Sequence, residues 1–232
     1  MFLELVDSLR CVRPHEDSWL VARADELVER HIVRGELGCP VCEARYAVRD
    51  GIVDFAADAA RAQAADASRG SASTRAAAQS DSGAGAEANQ ALALRAAALL
   101  GLTEPGGLVV LVGEWTACAC QLLDMIEGVQ LLALNPAQEL QSGGPLSLAL
   151  IPDVLPLAAA SARGIALDAA HATPSLLAGA ARALVPSGRL IAPASTLVPE
   201  SLRELARDDE HWVAAANPPS NVSAPVPIAL RR

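Results

Sequence analysis

The chain has 232 residues, 52% apolar and only 19% charged, enough for a small domain and a medium one around a true core. A net charge of −9 and a pI of about 4.9 disfavour direct, non-specific nucleic-acid binding, which needs a basic surface to displace counterions from phosphate. No apolar run reaches the length of a membrane span, and residues 1–7 lack the basic start of a signal peptide, so the expected location is the cytoplasm.

In chain order, residues 3–9 carry apolar positions at helical spacing and predict a turn or two of helix. Cys11 follows, then a turn over residues 12–15. Residues 19–22 suit a strand, and residues 24–31 (ADELVERH) a short helix or inserted arm. Cys39 and Cys42 bound a tight Cys-Pro-Val-Cys turn, residues 46–48 form a strand, and Asp50-Gly51 turns the chain into residues 52–55.

Five cysteines, an odd number in a reducing compartment, favour metal ligation or buried thiols over disulfides. Cys11, His15, Cys39 and Cys42 supply the four ligands that a closed tetrahedral zinc site requires. Cys39 and Cys42 are the stronger half. The position that usually pairs with Cys11 holds Pro14, which cannot ligate, and His15 stands one residue further on. The competing reading is a metal-free relic, with Cys11 a small buried apolar residue and His15 in a solvated loop. A unit of about 55 residues is marginal without a staple, which favours metal. The knuckle thiols would then be deprotonated and the site structural, closed to water.

Leu5-Val6-Asp7-Ser8-Leu9-Arg10-Cys11, Gly38-Cys39-Pro40-Val41-Cys42 and Tyr46-Ala47-Val48-Arg49-Asp50-Gly51-Ile52-Val53 resemble the small zinc-ribbon proteins that bind and activate RNA and protein methyltransferases. The closing motif and second knuckle match that family; the first knuckle departs from it at Pro14. The resemblance implies a ribbon that adds an edge strand to a methyltransferase and stabilises it.

Residues 56–88 are Ala, Ser, Asp, Gly and Gln with almost no bulky apolar side chain. Residues 56–67 suit a lone Ala-rich helix and residues 68–86 a mobile linker. The expected division is therefore a ribbon-like domain over 1–55, a flexible linker over 56–88 and an α/β domain over 89–232.

In that last domain Asn89 is expected to cap a helix over residues 90–100. Leu108–Val112 reads as a fully buried strand ended by Gly113. A helix over 116–126, strands over 129–134, 145–151 and 163–168, a helix from Thr173-Pro174 to about 184, and a strand over 189–192 follow. Residues 199–207 read as a helix, and residues 212–216 and 226–230 as two last strands. Alternating strands and helices predict a doubly wound α/β sheet that binds ligands at its C-terminal strand ends.

Val109-Val110-Leu111-Val112-Gly113-Glu114-Trp115-Thr116-Ala117 and Ala183-Leu184-Val185-Pro186-Ser187-Gly188-Arg189-Leu190-Ile191 resemble segments of class I methyltransferases that use S-adenosylmethionine. The resemblance implies a seven-stranded, Rossmann-like sheet. The departures weigh more. Trp115 and Ala117 replace two glycines of the cofactor turn, Leu111 stands where the family has an acid, and Asn135 replaces the carboxylate that takes the ribose hydroxyls. Trp115 is expected to fill space the cofactor needs. His171 after Asp168 reads as structural rather than as a general base, Cys118 and Cys120 as buried small residues on different helix faces, and residues 207–210 as a solvated helix end.

The expected protein is a zinc-ribbon fused to a degenerate methyltransferase-like domain, with zinc bound and S-adenosylmethionine not. Its expected role is a non-catalytic scaffold or regulatory subunit for a partner methyltransferase, or one that self-associates, without direct nucleic-acid or membrane contact. The alternative is an active methyltransferase with an atypical cofactor pocket.

Overall fold

A computed structural model describes residues 1–57 and 84–217. The predicted strand over 226–230 and most of the predicted linker lie outside the described residues.

Among the described residues, eleven strands form one continuous mixed sheet in the order β1-β2-β3-β4-β7-β6-β5-β8-β9-β11-β10. The N-terminal unit supplies β1 (Val21–Val28), β2 (His31–Gly38), β3 (Arg45–Arg49) and β4 (Ile52–Asp54), an antiparallel meander. The second half supplies β5 (Leu108–Val112), β6 (Gln130–Leu134), β7 (Leu146–Leu150), β8 (Ala162–Ala166), β9 (Leu184–Pro193), β10 (Leu202–Arg207) and β11 (His211–Ala216). Strands β7-β6-β5-β8-β9 are parallel, in the doubly wound order whose switch point falls between β5 and β8. Strand β11 runs antiparallel between β9 and β10.

The two halves join by strand pairing. Ile52, Val53 and Asp54 lie parallel to Leu148, Ala149 and Leu150, and Phe55 N–H donates to Leu150 O at 2.8 Å. Helices of the described residues include α1 (Ala84–Leu100), α2 (Ala119–Met125) and α3 (Pro174–Ala183). Thr173 caps α3 through its side chain, and Pro174 sits at the first position, where its missing N–H costs nothing.

Strand alternation divides the core into two layers. Val109 and Leu111 pack in the layer with Ala93, Ala96 and Leu100 of α1 and Leu122 of α2. Val110 and Val112 belong to the opposite layer, with Leu176 and Leu177 of α3 and, from the N-terminal unit, Met1, Leu5, Leu9, Tyr46 and Phe55. The β6–β7 and β7–β8 connections contain no helix. The N-terminal unit thus lies in the core layer that crossover helices occupy in a doubly wound fold.

Several sequence expectations are corrected. Residues 24–31 are strand and hairpin, not helix. Their turn places Glu29 and Arg30 at φ 46° and 66°, the two positive values a type I′ hairpin needs, without the usual Gly or Asn. An Arg30–Glu4 ion pair and a Leu3 N–H to Arg30 O bond of 2.9 Å hold it. Residues 202–207 are strand β10, not helix, so Asp208–Glu210 form the turn into β11, and Asp208 pairs with Arg95 of α1 at 3.2 Å. Residues 3–8 form a 3₁₀ helix. Helix α1 starts at Ala84, before Asn89. The helix after β5 opens as a 3₁₀ segment, Gly113–Cys118. Cys118 is buried as expected and its thiol is pushed up to about 12 by burial, but Cys120 is exposed. No helix among the described residues is long and apolar enough to cross a membrane.

Candidate functional site

The Cys39–Cys42 turn closes the β2–β3 hairpin. Glu43 N–H donates to Cys39 O at 3.0 Å and Cys39 N–H to Ala44 O at 2.9 Å, with Glu43 at φ 57°. This tight turn holds both sulfurs on one side. Cys11 approaches from the segment after the 3₁₀ helix, and His15 from the loop beyond it. The ligand atoms of Cys11, His15, Cys39 and Cys42 all lie within 4.8 Å of one another.

Two of the six edges match a tetrahedron. Zn–S bonds of about 2.3 Å and a Zn–N bond of about 2.0 Å give an S···S edge of about 3.8 Å and an S···N edge of about 3.5 Å. Cys11 Sγ and Cys42 Sγ are 3.7 Å apart, and Cys39 Sγ and His15 Nε2 are 3.5 Å apart. His15 Nδ1 lies 2.6 Å from Glu16 O. A carbonyl only accepts, so Nδ1 carries the proton and Nε2 keeps its lone pair for a metal.

Burial pushes the Cys39 thiol up, but the N–H groups of Cys42 and Val41 and the neighbouring thiols outweigh it and hold the group down at about 6. Burial lifts Cys11 to about 11 in the same cluster, against a bond to Tyr46, whose Oη lies 3.0 Å from its sulfur. One thiolate is therefore favoured without metal, and the others ionise on metal binding. The set fits a structural zinc ion: soft, closed and without a position for a reacting water.

The second candidate region is the switch point between β5 and β8. Gly113 has φ 61°, and a Cβ there would overlap the Asp168 carboxylate and lie 2.7 Å from His171 Nδ1. Asp168 Oδ2 accepts the Glu114 N–H at 2.9 Å, and Asp168 Oδ1 lies 2.6 Å from His171 Nδ1. Gly113 is thus needed for a side chain of this protein, which already takes the N–H an incoming anion would use. Asn135 is spent in the same way. Its amide donates to Ile151 O at 3.1 Å and accepts Ile151 N–H at 2.8 Å.

Trp115 does not stand over the turn. It is buried in the α1–α2 layer, its indole N–H donates to Leu167 O at 3.3 Å, and its ring meets His211 edge-on. The expectation that the indole blocks the turn is corrected: Asp168 and His171 occupy that place. Sequence reading missed this because the residues are 55 and 58 positions from Gly113 and meet only through β5–β8 pairing.

Burial pushes the Asp168 carboxyl up, but His171 and the Glu114 N–H outweigh it and hold it below the usual carboxylate range. The bond to Asp168 lifts the His171 imidazole above its ordinary value, against burial. The His171 contribution to stability is complete below about pH 6.5 and is lost as pH rises through the raised value; the Asp168 contribution is present above about pH 4 and is lost as pH falls through the depressed one. Asp168→Asn is therefore expected to cost about 1–3 kcal/mol near pH 5.5 and less at pH 9. Urea unfolding of both proteins at a series of pH values measures this, and a pH-independent difference would refute it.

No sequence-family model matches the chain, and no curated protein matches it. Among solved structures, the chain is similar to one from the complex between the Haloferax volcanii Trm112 methyltransferase activator and a methyltransferase, at 16% identity over 58% of this chain and 92% of that one, TM-score 0.43. It is similar to an S-adenosyl-L-methionine methyl transferase from Silicibacter pomeroyi, at 14% identity over 59% and 99%, TM-score 0.41. A third similarity is to a protein assigned as a sarcosine dimethylglycine methyltransferase from Galdieria sulphuraria, at 16% identity and TM-score 0.35; the match spans 46% of each chain, about half the length of that protein.

Proposed function

We propose that this chain is a non-catalytic, methyltransferase-like protein whose zinc-ribbon-like N-terminal unit, residues 1–55, caps its own α/β half, residues 89–232, across a linker over 56–88. The observation that carries the reading is the Asp168 carboxylate seated on Gly113 and bonded to Glu114 N–H. It puts negative charge where a methionine carboxylate would need donors, and Asn135 is engaged by Ile151 instead of facing a ribose. The residues present do not fit S-adenosylmethionine in this arrangement.

The zinc reading is supported by the ligand spacing, with Cys11, His15, Cys39 and Cys42 as the set. In the proposed role the protein is a scaffold or regulatory subunit. Strand β4 is already paired with β7 of its own chain, so a partner methyltransferase, or a second copy, would have to dock on another surface.

Calorimetric titration with S-adenosylmethionine and S-adenosylhomocysteine tests the reading. The expected result is no saturable binding up to about millimolar ligand, less than about 4 kcal/mol of binding free energy. Saturation at micromolar concentration would overturn it and restore the alternative, an active methyltransferase with an atypical pocket.

A further inference from the structure

The four candidate ligands lie beside the seam between the two halves. Cys11 directly follows a short ladder to the second half: Arg10 N–H donates to Pro156 O at 2.9 Å, and Ala158 N–H donates to Ser8 O at 2.8 Å. Leu9 and Leu157, paired across that ladder, are both buried. The loop bearing His15 is tied to α3 by Asp17 and Arg182, 2.8 Å apart, and Arg182 also donates to Leu157 O at 3.0 Å.

Cys39 and Cys42 reach the second half by a different route. Their hairpin continues through β3 into β4, which pairs with β7. Tyr46 of β3 is fully buried, places its Oη 3.0 Å from Cys11 Sγ, and stacks against Phe55 at 4.7 Å between ring centroids. Phe55 is the residue whose N–H meets Leu150 O. A metal joining Cys11 and His15 to Cys39 and Cys42 therefore ties together two strands of chain, each separately attached to the second half.

We propose that the metal centre acts as a fastener for this seam, so that zinc binding and docking of the two halves strengthen each other, with Arg182 and Ala158 positioning the ligands although neither touches the metal. The inference rests on the zinc reading above. The physical basis is linkage: metal that binds the docked ligand geometry more tightly than the undocked one favours docking, and docking raises metal affinity by the same factor. The contacts that pin residues 8–10 and Asp17 fix two of the four ligands before metal arrives, which lowers the ordering cost of binding.

The test measures zinc affinity of the full chain by competition with a chromogenic chelator. Wild type is expected to bind one zinc. Ala158→Pro, which deletes the donor to Ser8 O, is expected to weaken zinc about tenfold, Arg182→Ala to weaken it less, and Ser195→Ala, exposed in the turn after β9, to leave it unchanged. Hydrogen exchange of wild type provides a second readout that needs no variant. Removing zinc is expected to speed exchange at the Arg10, Phe55 and Ala158 amides, which donate across the seam, while leaving β9 and β11 as they were. One tightly bound zinc with unaltered affinity in both variants, and exchange at those three amides indifferent to zinc, would overturn the fastener and leave the zinc reading standing. A wild-type protein that binds no zinc would overturn both. If Ala158→Pro does not fold, Arg182→Ala and the exchange measurement decide.

Discussion

Cys42→Ser is expected to abolish stoichiometric zinc and to lower stability by on the order of 4–5 kcal/mol, because loss of a metal belongs to the short list of changes with effects that large. In a chain of this length that corresponds to a fall of on the order of 10 °C in melting midpoint. The N-terminal unit is small, its β1 strand is largely exposed, and its hairpin turn carries two non-glycine residues at positive φ. Two of the distances among the four ligand atoms are those of tetrahedral edges, so a metal cross-links the segment bearing Cys11 and His15 to the Cys39–Cys42 turn. Elemental analysis and thermal melts with and without chelator check the prediction. If wild type and Cys42→Ser contain the same zinc and melt together, the site is a cluster of thiols with no metal role.

Val53→Pro is expected to separate the two halves. Val53 is buried and paired on both sides, with Val48 of β3 and Ala149 of β7, so proline removes a ladder donor and leaves unfilled space in the middle of the sheet. The cost is roughly 3 kcal/mol or more. The measurement uses a protease site inserted between Gly70 and Ser71. After cleavage the halves of the otherwise wild-type chain are expected to co-elute on gel filtration, and those of the Val53→Pro chain to run apart. Cut wild-type halves that part at once would show that the β4–β7 pairing contributes little.

What the sequence revealed follows from how each element is stabilised. Leu108–Val112 reads as a strand because every residue is apolar, and every one is buried. Thr173-Pro174 announces α3 because cap chemistry is local. Residues 24–31 and 202–207 deceive for the opposite reason. Ala, Glu, Leu and Arg are good helix formers, and these strands are held by pairing with β2 and β11, which propensity does not register. That Cys11, His15, Cys39 and Cys42 would come together was legible from spacing. The carboxylate on Gly113 and the pairing of β4 with β7 were not, since both join residues far apart in the chain.

The N-terminal unit precedes the sheet face it covers, and order of synthesis gives that arrangement a kinetic meaning. When Val110, Leu132 and Leu134 leave the ribosome, Met1, Leu5, Leu9 and Tyr46 have already emerged and are available to shield them. A circular permutant that begins at residue 84 and carries residues 1–57 last would expose the bare face throughout translation, and its characteristic failure would be aggregation during production rather than a lower equilibrium stability once assembled.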